Sequence, residues 1–227
     1  MTPVRAVLFD VDFTLFRPGP ELGPEGYRRR GEQFGLRLDP ALYEQARAAA
    51  LADLQRHPEL EHDDEIWTAF TEQIVRGMGG EGEGAAECAR AIESQWEEHH
   101  NFDLYEDVDP VFDVLRGHGL KIGLVSNGAR DLEEFVAHHA LAVDAFVGSR
   151  AHGKTKPHET IFRVLLEALG VEAAEAVMVG DSPEDDVEGA EAVGIRAFLL
   201  DRGGLYPDRP GRLTDLRELP AALGLTA

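Results

Sequence analysis

The sequence predicts an α/β protein built on a doubly wound parallel sheet and carrying an inserted all-helical cap. Three observations lead there. Short apolar runs recur along the chain and stop at acidic or small polar residues; amphipathic stretches of helical period lie between them; and this rhythm fails between about residues 17 and 100, where no strand is legible.

The first run, residues 4–9, is nearly continuous in apolar character with β-branched and aromatic members, as expected of a strand covered on both faces. It ends at Asp10. Residues 120–125 end at Ser126-Asn127-Gly128, residues 176–179 at Gly180-Asp181, and residues 195–200 at Asp201, with a weaker case at 145–147. Helical patterns at about 109–118, 130–139, 158–169 and 183–193 separate these runs, each closed near a glycine. Alternation of strand and helix makes the sheet parallel. The core is therefore assigned to residues 1–16 and 101–227. Residues 17–100 form the insertion, with helices at about 24–34, 40–56, 63–76 and 84–100. The glycine-rich segment 77–84 follows no strand and contains two glutamates, so it reads as a loop and not as a phosphate cradle.

A length of 227 residues suits one enzyme-sized unit with a smaller module inserted. No apolar stretch approaches the eighteen or so residues of a membrane span, and acids at Asp10 and Asp12 disfavour an export signal. Cys88 is the only cysteine, which excludes an intrachain disulfide and suits the reducing cytoplasm. A net charge of −21 disfavours nucleic acid and anionic membranes as partners. A phosphate-binding site in such a chain needs a local positive centre. Only three of the 22 basic residues are lysines, Lys121, Lys154 and Lys156, and two of these share one tripeptide.

In an open parallel sheet, ligands bind beyond the carboxyl ends of the strands, near the point where strand order reverses. The strand ends here bring Asp10, Asp12, Ser126, Asn127, Asp181, Asp185 and Asp186 toward one crevice, with Lys156 on a loop before another helix. Asp10 and Asp12, two apart, would point to one side of a continued strand and repel unless a cation lies between them; the alternative is a solvated turn. Asp181 suits a hard cation such as magnesium, although Asp181 or Ser182 could instead cap the following helix, with Asp185 and Asp186 complementing its dipole. Ser126 and Asn127 offer a hydroxyl, an amide and backbone N–H groups to a phosphoryl oxygen, or simply form a turn. Lys156 offers a compact ammonium to phosphate or carboxylate.

These four elements in this order resemble the haloacid dehalogenase superfamily. Asp10, Asp12 and Thr14 match its Asp-x-Asp-x-Thr motif, Ser126 its second motif, Lys156 before Pro157 its third, and residues 180–190 its acidic fourth. The resemblance implies that Asp10 is the nucleophile that forms an aspartyl-phosphate, and that Asp12 protonates the leaving oxygen and then activates water. It further implies Mg2+ held by Asp10, the main-chain carbonyl of Asp12, and Asp181. Ser126, Lys156 and Asn127 would bind the phosphoryl oxygens, Thr14 would support the loop by hydrogen bonding, and Asp185 or Asp186 would orient Lys156 or metal-bound water. Phe13 departs from the family, which often has glycine or a small polar residue there. Asp12 favours phosphatase over dehalogenase chemistry, because only an alkoxide leaving group needs a proton.

The expected substrate is a small phosphorylated metabolite such as a sugar phosphate, phosphoglycolate or a nucleotide, and the expected assembly is a monomer or homodimer. Specificity is expected of the cap, where Arg17, Tyr27, Arg28, Arg29 and Arg30 are candidates, although an arginine run is more often a solvated helix face. His99 and His100 read as surface residues. A phosphomutase, which shields the same intermediate until a sugar accepts the group, and a non-catalytic binding protein are the alternatives.

Overall fold

The computed structural model describes residues 2–54 and 56–225. Its strands are β1 (Ala6–Phe9), β2 (Phe16–Pro18), β3 (Phe102–Leu104), β4 (Lys121–Ser126), β5 (Ala145–Gly148), β6 (Ala176–Gly180) and β7 (Arg196–Leu199). Its α-helices are α1 (Pro24–Gln33), α2 (Tyr43–Ala52), α3 (Asp64–Gly77), α4 (Gly84–Trp96), α5 (Val108–Gly117), α6 (Leu132–His138), α7 (Ser149–His152), α8 (Glu159–Leu169), α9 (Gly189–Ala192) and α10 (Leu219–Ala222). The chain divides into two units. One comprises Met1–Arg17, Leu104–Asn127 and Asp131–Ala227; the other comprises Pro18–Asp103 with Gly128–Arg130.

The first unit holds a five-stranded sheet in the order β5-β4-β1-β6-β7, with every pairing parallel. All four residues of β1 are fully buried, which explains why the segment is apolar without alternation. Ala6 and Leu8 face a cluster that includes Ile161, Phe162 and Leu165 of α8, whereas Phe9 stacks on Phe112 of α5 at 5.2 Å between ring centroids. The chain builds outward from β1 to β4 and β5, then returns to place β6 and β7 on the other side. Strand order therefore reverses at β1, and the residue leaving its carboxyl end is Asp10.

The second unit is mainly helical. Its core joins Tyr27, Ala46, Ile74, Cys88 and Ile92 from all four helices, with Tyr43 stacked edge-on against Tyr27. Tyr27 is thus a core residue and not a surface specificity group. Arg28 pairs with Glu25 and Glu32, and Arg29 with Glu21, so the arginine run is a solvated, ion-paired face. None of the helices is long and apolar enough to cross a membrane, among the described residues.

Several local expectations are corrected. A strand opens the expected insertion and another follows its end, because β2 and β3 pair as a two-stranded sheet. Three residues are too few to display a period of two. The stretch 40–56 is a 3₁₀ turn (Pro40–Leu42) followed by α2, and it includes Gln55, which lies outside the described residues. The stretch 84–100 stops at Trp96, before a 3₁₀ turn at His99–Asn101. The stretch 183–193 is a π-helical turn (Pro183–Glu188) running into α9, with Val187 N–H reaching back to the Ser182 carbonyl at 3.3 Å.

Candidate active site

The Asp10 N–H donates to the Val179 carbonyl at 3.0 Å, extending the β1/β6 ladder by one residue and fixing where the carboxylate emerges. The chain then turns instead of remaining extended. Val11 carbonyl accepts from the N–H of Leu15 at 2.9 Å and of Phe16 at 3.1 Å, and Phe13 sits in the left-handed region at φ 61°. That conformation accounts for a family preference for glycine at this position. The left-handed residue follows Asp12, and the charges of Asp10 and Asp12 both act on Asp181.

Lys156 lies almost wholly buried. Its Nζ donates to Asp10 Oδ1 at 2.6 Å and to Asp186 Oδ1 at 2.7 Å. Burial alone would pull this ammonium down, but the two carboxylates outweigh it and hold it above the ordinary lysine value. Asp186 Oδ2 accepts from Ser182 N–H at 2.9 Å, so both its oxygens are engaged. One ligand oxygen from each of Asp10, Asp181 and Asp186 lies within 4.8 Å of the other two. Burial raises Asp181, and the charges on Asp10 and Asp186 raise it further; burial likewise lifts Asp186 to about 7, against the pull of Lys156.

Three carboxylates facing one ammonium leave excess negative charge in a dry place, and an oxygen-only donor set of this kind fits a hard divalent cation. Asp10 and Asp181 have the freer oxygens. The carboxylate of Asp12 is not one of the three; the resemblance gave it a main-chain role in metal binding.

Asn127 reaches Lys156 from the end of β4. Lys156 N–H donates to Asn127 Oδ1 at 2.8 Å, and Asn127 Nδ2 donates back to the Lys156 carbonyl at 3.1 Å and to Asp185 Oδ2 at 3.4 Å. Its amide therefore holds the lysine loop. Ser126 is buried at the same strand end. Thr14 is fully buried; among the described residues its hydroxyl has no hydrogen-bond partner, and it is its carbonyl that takes the bonds holding the loop. Arg202 and Asp107, which supply that hold, were absent from the expected site. The available signal was the position of Arg202 just beyond β7; Asp107, ahead of a helix, resembles an ordinary cap.

Two glycines permit the close packing. A Cβ on Gly180 would fall on the Asp186 carboxylate, and one on Gly189 would lie 2.7 Å from Pro157 Cβ. Gly180→Ala is expected to lower stability by about 1–3 kcal/mol in denaturant unfolding, through overpacking against a buried charge. A variant as stable as wild type would show that Asp186 has room to move.

A model of the haloacid dehalogenase-like hydrolases matches residues 4–194. A phosphoserine phosphatase of Thermus thermophilus is 37% identical over 155 residues, covering 65% of this chain and 61% of the relative, so the chain spans less than two thirds of that protein. A haloacid dehalogenase-like hydrolase domain-containing protein 3 of Danio rerio is 32% identical over 97% of both chains. The solved structure of a HAD phosphatase from Thermococcus onnurineus superposes with a TM-score of 0.67 at 25% identity, covering 97% of this chain and 98% of that one. With the family model spanning most of its length and the four motifs meeting at one sheet edge, the chain belongs to the haloacid dehalogenase-like hydrolases.

Proposed function

We propose that this chain hydrolyses a small phosphomonoester by way of an aspartyl-phosphate on Asp10, with Mg2+ as cofactor and residues 17–100 as its cap. It is a phosphatase of its family, in keeping with the named phosphatases among its relatives. The observation that carries the finer reading is the buried Lys156 bridge between Asp10 and Asp186, with Asp181 beside it, at the strand-order reversal.

Asp10 keeps one oxygen on Lys156 and attacks phosphorus with the other. As the bond from phosphorus to the ester oxygen breaks, Asp12 gives that oxygen its proton, releasing an alcohol. Asp12 then takes a proton from water, whose oxygen attacks the aspartyl-phosphate; inorganic phosphate leaves and Asp10 is regenerated. Lys156 and Ser126 bind phosphoryl oxygens, and Asn127 and Asp186 keep the lysine in place. Asp10, Asp181 and the Asp12 carbonyl would hold Mg2+, which supplies charge neutralisation between carboxylate and phosphate.

Hydrolysis of 4-nitrophenyl phosphate is expected to require magnesium and to vanish in excess chelator. Addition of Mg2+ alone should raise the melting temperature, because a ligand bound only by the native state stabilises it. Equal turnover with chelator and with magnesium would defeat the proposal.

A further inference from the structure

We infer that Arg202 is a positioning residue that sets the geometry of proton transfer by Asp12, an inference that rests on the role proposed for Asp12. The loop from Val11 to Phe16 closes on itself at the Val11 carbonyl, and Leu15 is tied outward through its carbonyl to the Tyr105 N–H at 3.0 Å. Between them Thr14 makes no side-chain hydrogen bond among the described residues. Its carbonyl accepts from Arg202 Nη2 at 2.9 Å and from Nε at 3.2 Å. This clamp sits two residues from Asp12 and one from Phe13, whose left-handed backbone needs support from its surroundings.

The guanidinium is itself immobilised. Its Nη1 and Nη2 donate to the two oxygens of Asp107 at 2.8 and 2.9 Å, and its Cζ lies 3.9 Å from the Tyr105 ring centroid. Asp107 is buried and also accepts from Leu216 N–H at 2.9 Å. Four donor contacts from one head group exceed the three N–H donors of a lysine ammonium and call for the arginine fork. A buried ion pair is not needed for stability as such, since apolar groups often replace one without loss. What an apolar replacement could not supply is a fixed donor to the Thr14 carbonyl.

The test compares kcat/KM on 4-nitrophenyl phosphate, a good leaving group, with that on phenyl phosphate, a poor one that needs a proton. This ratio reports the first transfer step and does not depend on how much of a preparation is folded. In Arg202→Lys and Arg202→Gln, activity on phenyl phosphate is expected to fall about 10–100-fold, as for other supporting-shell residues, with a smaller loss on the nitro ester. The ratio therefore widens, as it must also in Asp12→Asn. A widened ratio in Asp12→Asn with an unchanged ratio in both Arg202 variants overturns the positioning role alone. An unchanged ratio in Asp12→Asn overturns the role of Asp12 and this inference with it.

Discussion

Asp10→Asn is expected to reduce kcat on 4-nitrophenyl phosphate by about 10⁴-fold or more, the scale seen when a nucleophile is removed. The substitution is nearly isosteric, and the amide oxygen can still accept from Lys156 where Asp10 Oδ1 does at 2.6 Å. The fold should therefore survive. A neutral amide oxygen, however, is a poor nucleophile toward phosphorus. Removing one of three clustered carboxylates also relieves repulsion, so without magnesium the variant should melt no lower than wild type, while its gain in melting temperature from magnesium shrinks. Turnover equal to wild type would rule out a covalent intermediate on this residue.

Lys156→Met is expected to affect both activity and stability. The loss of one preorganised positive donor to the phosphoryl group should lower kcat by about 10²–10³-fold, comparable to the deletion of an oxyanion donor. It also strands Asp10 and Asp186, both buried, without their cation. Breaking a buried pair from one side typically costs about 3–5 kcal/mol.

The pH dependence has a definite sign. The native lysine is held above its ordinary value, so its contribution is fully present below about pH 10.4 and is lost only as pH rises through the higher native value. Asp181 and Asp186 are raised in the folded protein, so there the native state binds protons more tightly than the unfolded chain does. The unfavourable contribution of Asp186 is largest above about pH 7 and fades as pH falls toward the ordinary carboxylate value near 4, and that of Asp181 fades in the same direction. Without Lys156 this acid relief grows. Denaturant unfolding of the variant should show more stability at pH 5.5 than at pH 8, and a smaller deficit when magnesium is present. A variant as stable as wild type at pH 8 in chelator would mean that the carboxylates are not buried against the lysine.

Much of this architecture was legible before any coordinates. Buried parallel strands such as β1 and β6 have to be apolar on both faces, so they stand out as unbroken runs, and their ends mark where polar groups gather. Helices such as α5 and α8 bury a single stripe and end at Gly117 and before Gly170, signals that are local in the chain. The ribbon of β2 and β3 was not legible, because three-residue strands carry no period. Nor was the π-helical turn, which depends on how Ser182 and Gly180 accommodate Asp186.

The sequence by itself determined the α/β class, the alternation of core strands with helices, and the strand ends at which acidic and polar groups gather, because each follows from the composition and spacing of neighbouring residues. Only the tertiary structure decided the partners. Lys156 meets Asp10 across 146 positions and Asp186 across 30, and Arg202 meets the Thr14 carbonyl across 188. Those pairings depend on sheet register, on the left-handed turn at Phe13 and on how closely Gly180 lets a carboxylate approach, which no local pattern records.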